Sequence, residues 1–145
     1  MATYAAVLLE RGTSAPVTGT LALTAEERRK RLLSWQDPQG EQVYLELPRG
    51  LHLQDEDLLH VPARHWVLQV TARPEPVLTV TACHPLLLLR AAYHLGNRHV
   101  PLQLSEQWLR LAPDPVLADM LREMGLSVIE ETAPFYPETG AYHHH

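Results

Sequence analysis

The sequence predicts an α+β protein, and three observations support this fold class. Residues 1–72 hold short, partly alternating apolar segments between turn residues, a pattern typical of a small all-β domain. A proline-rich break follows, and beyond it strand-like and helix-like segments alternate in the order βαββαβ. That order is the ferredoxin-like arrangement. We therefore expect an N-terminal β-domain over residues 1–74, a ferredoxin-like domain over 75–142, and a histidine tail at 143–145.

The first domain contains five predicted strands, each rich in apolar residues and bounded by turn formers. They cover residues 3–10, 18–24, 31–36, 42–47 and 65–72. The turn at 37–40 reads Asp-Pro-Gln-Gly, in which proline presets the second position and glycine relaxes the last. The segment at 73–76 reads Arg-Pro-Glu-Pro. Two prolines in four residues predict a linker rather than the interior of a sheet.

The first helix of the second domain is predicted over residues 84–96. His84 lies near the N-cap, Pro85 occupies the first turn, and Gly96 is the expected C-terminal stop. Apolar residues cover most of the circumference of this helix. We therefore expect it to be heavily buried.

The second helix is predicted over residues 114–125. Asp114 is the expected N-cap, Pro115 takes the first helical position, and Gly125 is the C-terminal breaker. Four segments complete the domain as predicted strands, at residues 77–83, 100–106, 108–113 and 126–135.

Charge argues against a nucleic-acid partner. The chain carries a net charge of −5, and its one basic run, at residues 28–31, directly follows two glutamates. Such a run is typical of a solvated face rather than of a phosphate-binding patch. An acidic protein without a basic stripe gains little from phosphate contacts.

Cysteine content and hydropathy indicate the compartment. Cys83 is the single cysteine, so no intramolecular disulfide can form, which suits a reducing environment. The first ten residues lack the pattern of a signal peptide, and the apolar run around residues 86–89 is too short to cross a bilayer. We expect a cytoplasmic protein without a membrane partner.

The sequence holds no recognisable enzyme site. It lacks the nucleophile elbow, the P-loop, the dinucleotide-binding glycines and the zinc-protease histidine pair. Cys83 beside His84 is interpreted as a small buried hydrophobe, and Glu130 and Glu131 lie on opposite faces of a strand. A metal-dependent hydrolase would need a general base, and none stands at recognisable spacing.

Histidines offer the one candidate for metal chemistry. His52, His60 and His65 have no paired ligand at metal-binding spacing, and we interpret them as surface or loop residues. His94 and His99 are five positions apart, so one helix face could not present both. If Gly96 ends the helix, His99 begins the following strand. One imidazole alone makes a weak site, although a two-fold dimer would bring two copies together.

Two alternatives remain open from the residues alone. For His99, a structural role is favoured over metal binding. For His143, His144 and His145, the three imidazoles are either additional metal ligands or the remnant of an expression tag.

Four segments resemble the UreE family of urease accessory proteins, the nickel metallochaperones. They read "LPRG" (47–50), "AYHLGNRHVPLQL" (92–104), "LADMLREMGLSV" (117–128) and "APFYPETGAY" (133–142). The resemblance covers nearly the whole chain. Because it includes the motif around His99, the resemblance favours metal binding over a purely structural role for this residue.

The resemblance implies a role and a site. It implies a β-domain of peptide-binding type and a ferredoxin-like metal-binding domain, in which His99 lies at a homodimer interface and shares a nickel ion with its copy. His143, His144 and His145 correspond to the histidine-rich tail of the family. Zinc and copper are alternative ions for such imidazoles. The implied partners are a second copy, a metal-linked tetramer in some states, and the apo-urease assembly complex with its GTPase UreG.

The sequence also departs from the family pattern. Some relatives carry histidines on both sides of an aspartate before the second helix, whereas here Pro113 and Pro115 flank Asp114. We therefore expect fewer bound ions per dimer than in histidine-rich members of the family.

His94 is interpreted as structural, and Tyr93 and Arg98 as supporting packing or the interface. The competing interpretation is a metal-independent peptide- or protein-binding module in urease assembly.

Overall fold

A computed structural model of the chain describes residues 2–138, in which the chain divides into two compact units between Arg73 and Pro74. The first unit is built from strands, and the second combines a sheet with two α-helices. The predicted α+β class is confirmed. Within the described residues, no helix is long and apolar enough to cross a membrane.

The first unit contains two sheets. Its strands are β1 (Thr3–Ala5), β2 (Val7–Leu8), β3 (Gly19–Leu23), β4 (Leu32–Gln36), β5 (Gln42–Glu46), β6 (Leu58–Val61) and β7 (Trp66–Ala72). One sheet has the order β1-β5-β4 and the other β2-β6-β7-β3. Apolar side chains from both sheets fill one core, among them Leu21, Leu33, Val43, Leu45, Leu59, Leu68 and Val70.

Two details of the first unit differ from the predicted strands. The single strand expected over residues 3–10 is two short strands in different sheets: β1 pairs with β5, and β2 pairs with β6. Ala6 lies between them, buried, with its N–H bonded to the carbonyl of Glu46. The strand β6 was not predicted, because its four residues, Leu-Leu-His-Val, are too few to show an alternation of apolar and polar residues.

The second unit is a ferredoxin-like fold, as predicted. Its elements are β8 (Glu75–Thr81), α1 (Pro85–Asn97), β9 (Gln103–Leu104), β10 (Leu109–Leu111), α2 (Pro115–Glu123) and β11 (Ser127–Ala133). The strands form an antiparallel sheet with the order β11-β8-β10-β9. The core lies between this sheet and the helices, and it includes Leu78, Val80, Leu88, Leu95, Leu109, Leu111, Leu121 and Val128.

The expected linker at 73–76 is partly a strand. β8 already begins at Glu75 and runs through Pro76, which stands opposite Thr132 of β11. On its other side β8 is paired with β10 only from Leu78 onwards. At Pro76, β8 is therefore paired with β11 only. The absence of an N–H on this proline interrupts no pairing with β10.

Helix α2 begins as the sequence predicts. The carboxylate of Asp114 accepts a hydrogen bond from the N–H of Leu117 at 3.0 Å, and Pro115 occupies the first turn. Gly125 follows the helix with φ of +96°, a conformation that favours glycine.

Asp114→Ala should lower the free energy of unfolding of this unit by about 1 kcal/mol, because an N–H at the helix start loses its acceptor. Denaturant unfolding measures the change. Asp119→Ala is the matched control: Asp119 is on the same helix, exposed, with only a 3.9 Å ion pair to Arg122. An equal loss in both variants would contradict the capping role.

Candidate metal centre

His99 occupies the position that ends helix α1. Its N–H donates to the carbonyl of Gly96 at 3.0 Å, and the N–H of Val100 donates to the carbonyl of Leu95 at 3.1 Å. These two bonds define a Schellman motif whose left-handed residue is His99, with φ of +59°. The predicted stop at Gly96 is therefore wrong, because Gly96 lies within the helix. The prediction that His99 begins a strand is also wrong, since β9 starts at Gln103.

The backbone of His99 is strained. A left-handed conformation costs an L-residue with a Cβ about 1–2 kcal/mol, whereas glycine adopts it freely. Glycine is the usual residue at this helix position. The chain accepts this cost at His99, as it also does at Glu56 and His65, which have φ of +71° and +56°.

The turn holds the imidazole at the surface. His99 is exposed, while Leu95 before it is fully buried and Val100 after it packs against the core of the unit. The guanidinium of Arg98 donates to the carbonyl of His94 at 3.1 Å and so covers part of the helix end. The C-terminal end of a helix carries partial negative charge, which favours a bound cation.

An apolar stripe on α1 leads to this turn. Leu86, Leu89 and Tyr93 are exposed at 50%, 66% and 62%, and their spacing places them along one side of the helix. The opposite side, with Leu88 and Ala91, is buried in the core. The expectation of a heavily buried helix is therefore wrong for one face. We call Leu86, Leu89 and Tyr93 the α1 stripe.

His94 lies next to the α1 stripe. Its ring stacks on that of Tyr93, with centroids 5.4 Å apart and an interplanar angle of 21°. The side chain is exposed rather than enclosed by apolar neighbours. The helix thus presents an imidazole and a phenol side by side, one turn before His99.

Cys83 and His84 lie at the other end of α1. With Glu106 they line an open cavity of about 280 Å³. Cys83 is exposed, so the interpretation as a buried hydrophobe is wrong. The Nδ1 atom of His84 accepts a hydrogen bond from the N–H of Leu87 at 3.3 Å, which confirms the predicted helix cap. That bond places the ring proton of a neutral imidazole on Nε2.

A single chain does not present a ready-made ion cage. Among residues 2–138, no three histidine, cysteine, aspartate or glutamate side chains are close enough to hold one metal ion. The predicted ligands His143, His144 and His145 lie outside this range. The last described residue, Glu138, donates its N–H to the carbonyl of Leu102 at 2.6 Å. The last described residue is therefore bonded to Leu102, which lies three positions after His99 in the sequence.

Sequence reasoning proposed His99 as a ligand and did not identify the α1 stripe. The signal was present: Leu86, Leu89 and Tyr93 repeat at helical spacing, as the buried set also does. When one helix carries two apolar stripes, periodicity does not show which of them packs against the core.

Comparison with known proteins supplies the family. A model of the UreE urease accessory protein N-terminal domain matches residues 5–71, and one of the C-terminal domain matches residues 75–145. The urease accessory protein UreE of Thermosynechococcus vestitus is 54% identical over 125 residues, covering 86% of this chain and 87% of the relative. The UreE of Nostoc punctiforme is 51% identical over 133 residues, covering 90% of each.

A more distant relative agrees. The urease accessory protein UreE of Nitrosococcus oceani is 44% identical over 133 residues, covering 90% of this chain and 79% of the relative. The resemblance stated from the sequence is confirmed, and it places the chain among accessory proteins rather than enzymes. The chain belongs to the UreE family of urease accessory proteins.

Proposed function

We propose that the protein is a nickel metallochaperone for urease. Two copies associate through the α1 stripe, and each contributes His99 to one shared nickel ion. The ion passes from this site to the apo-urease assembly complex and its GTPase UreG, in the cytoplasm. The observation that carries the proposal is the placement of His99, in a strained and exposed turn at the end of an exposed apolar stripe.

The dimer follows from the chemistry of the site. One imidazole binds a divalent ion weakly, and the described residues of one chain supply no cluster of three ligands. A two-fold interface places residues near its axis against their own copies. A stripe of exposed leucine and tyrosine gains free energy when it is covered, and pairing of two α1 helices in the same direction would bring the two His99 turns together.

The tail is within reach of the same site. Residues 138–143 can extend about 17 Å, and three residues separate His99 from Leu102 by at most about 11 Å. Because Glu138 is hydrogen-bonded to Leu102, His143, His144 and His145 can approach a nickel ion held at His99. Imidazoles tethered to the protein act at high effective concentration. They can be exchanged for other ligands of the ion one at a time, which suits release of the ion to a partner.

Nickel is the proposed cargo because urease is the named client of the relatives. Imidazole ligands also accept zinc, and copper binds them more tightly in the general order of affinities. Selection of nickel in the cell therefore depends on supply and on the receiving complex. We expect fewer ions per dimer than in histidine-rich members of the family, since Pro113 and Pro115 stand where some relatives carry histidines.

Removing residues 143–145 should leave a site of half a nickel ion per chain and reduce any additional binding. Calorimetric titration with nickel, together with mass determination in solution, measures both quantities. Delivery is tested by mixing nickel-loaded protein with the apo-urease complex and following urease activity. If the shortened chain bound no nickel, the terminal histidines would be the real ligands and the proposed site at His99 would be wrong.

A further inference from the structure

Helix α1 ends with a guanidinium beside its terminal imidazole. In a regular α-helix the N–H of Arg98 would donate to the carbonyl of His94, four residues earlier. Here that N–H donates to the carbonyls of Leu95 and Gly96. The Arg98 side chain takes the place of the regular bond, since its Nη1 atom donates to the carbonyl of His94 at 3.1 Å. The side chain of Arg98 therefore caps the last turn of the helix.

The guanidinium of Arg98 is close to the His99 turn. The N–H of His99 donates to the carbonyl of Gly96, in the same turn of the helix as the carbonyl of His94. Positions two residues apart on an α-helix are separated by about 5 Å, so the Nη1 atom of Arg98 lies within about 12 Å of the amide nitrogen of His99. Both residues are exposed. A positive charge therefore stands near the proposed nickel ligand.

The charge of Arg98 is not neutralised by a carboxylate. Within residues 2–138, none of the ion pairs includes Arg98. Arginine remains charged in proteins. The C-terminal end of a helix carries about half a negative charge, which attracts a cation. A guanidinium that is bonded to a carbonyl of that end offsets this attraction.

We propose that the charge of Arg98 weakens nickel binding at the shared site and so favours release of the ion. The proposal rests on the proposed function, because it needs a nickel ion held by His99 in a two-fold dimer. Such a dimer places two guanidiniums near one divalent ion, since each copy contributes the same residues around the axis. Repulsion between like charges raises the free energy of the nickel-loaded state relative to the empty state.

A purely structural role for Arg98 predicts the opposite result. Its hydrogen bond to the carbonyl of His94 stabilises the last turn of α1, which leads into the left-handed backbone of His99. If this were the only effect of Arg98, its loss would loosen the turn and weaken nickel binding. Removal of a repulsive charge should instead strengthen nickel binding. The direction of the change in affinity therefore separates the two roles.

Calorimetric titration of the full chain with nickel chloride tests the proposal at low salt. Arg98→Gln removes the charge and keeps an amide N–H that can donate to a carbonyl. It should tighten binding of the first half ion per chain by at least about threefold, for two guanidiniums on the order of 12 Å from a divalent ion in water. Arg98→Lys keeps the charge and should bind nickel as the unaltered protein does. Arg49→Gln is the matched control for net charge, because Arg49 is an exposed arginine of the first unit.

The salt dependence of nickel binding gives a second readout. Raising the ionic strength from about 0.01 M to about 0.15 M shortens the screening length from about 30 Å to about 8 Å. Screening reduces the repulsion between the guanidiniums and the ion. Added salt should therefore strengthen nickel binding to the unaltered protein relative to Arg98→Gln, and the difference in affinity between the two proteins should shrink.

The outcomes are distinguishable. Tighter nickel binding in Arg98→Gln, with Arg98→Lys and Arg49→Gln unchanged, supports the role of the Arg98 charge. Weaker or unchanged binding in Arg98→Gln would overturn it, as would equal tightening in Arg98→Lys or in Arg49→Gln, and each of these results leaves the shared nickel site standing. If the unaltered protein bound no nickel at half an ion per chain, the proposed function would fail and the role of Arg98 would fail with it.

Discussion

Replacement of His99 by glycine should remove the shared nickel site and at the same time stabilise the fold. The imidazole is the proposed ligand, so nickel affinity should fall by at least about 100-fold, by analogy with the losses seen when support of a metal ligand is removed. Glycine relieves the left-handed strain, with φ of +59°, and after its own entropy cost the gain is about 0.5–1 kcal/mol. His99→Ala should lose nickel equally without gaining stability.

The pair of substitutions separates the ligand from the backbone. Nickel titration by calorimetry reports the site, and thermal unfolding of the metal-free protein reports the strain. His65→Ala is the control, because His65 is an exposed histidine of the first unit and also has a positive φ, of +56°. Nickel binding at half an ion per chain in His99→Gly would contradict the assignment. Unchanged partner binding and urease activation in His99→Ala would favour the metal-independent binding module instead.

Leu89→Asp should convert the proposed dimer into a monomer. Leu89 is 66% exposed in a single chain, so the aspartate costs the isolated fold little. At a two-fold interface the two carboxylates would lose water and face each other, which should raise the dimer dissociation constant by about 100-fold or more. Nickel affinity should fall with it, because the two His99 side chains would no longer meet.

Mass determination in solution over a range of protein concentrations measures this effect. Val116→Asp is the matched control: Val116 is 76% exposed and lies on the other helix, α2. Circular dichroism should show that both variants remain folded. A Leu89→Asp protein that stays dimeric would refute the α1 stripe as the interface, even if His99 proved to bind nickel.

The ends of the helices show which structural features nearby residues can predict and which they cannot. The caps by His84 and Asp114, and the stop at Gly125, were predictable because each acts within three or four residues. The stop at Gly96 was not, although glycine is the usual signal. Helix α1 continues past Gly96 because the buried contacts of Leu95 and Val100 on the core outweigh the strain at His99.

The sequence by itself determined the α+β class, the βαββαβ order, the family and the candidacy of His99, because periodicity, caps and motifs are local properties of the chain. Only the tertiary structure decided which stripe of α1 is exposed, since that depends on which face the sheet covers. It also decided that residues 28–31 meet the turn at 47–50. Such contacts join positions distant in sequence, and no local pattern records which of them the packed chain will form.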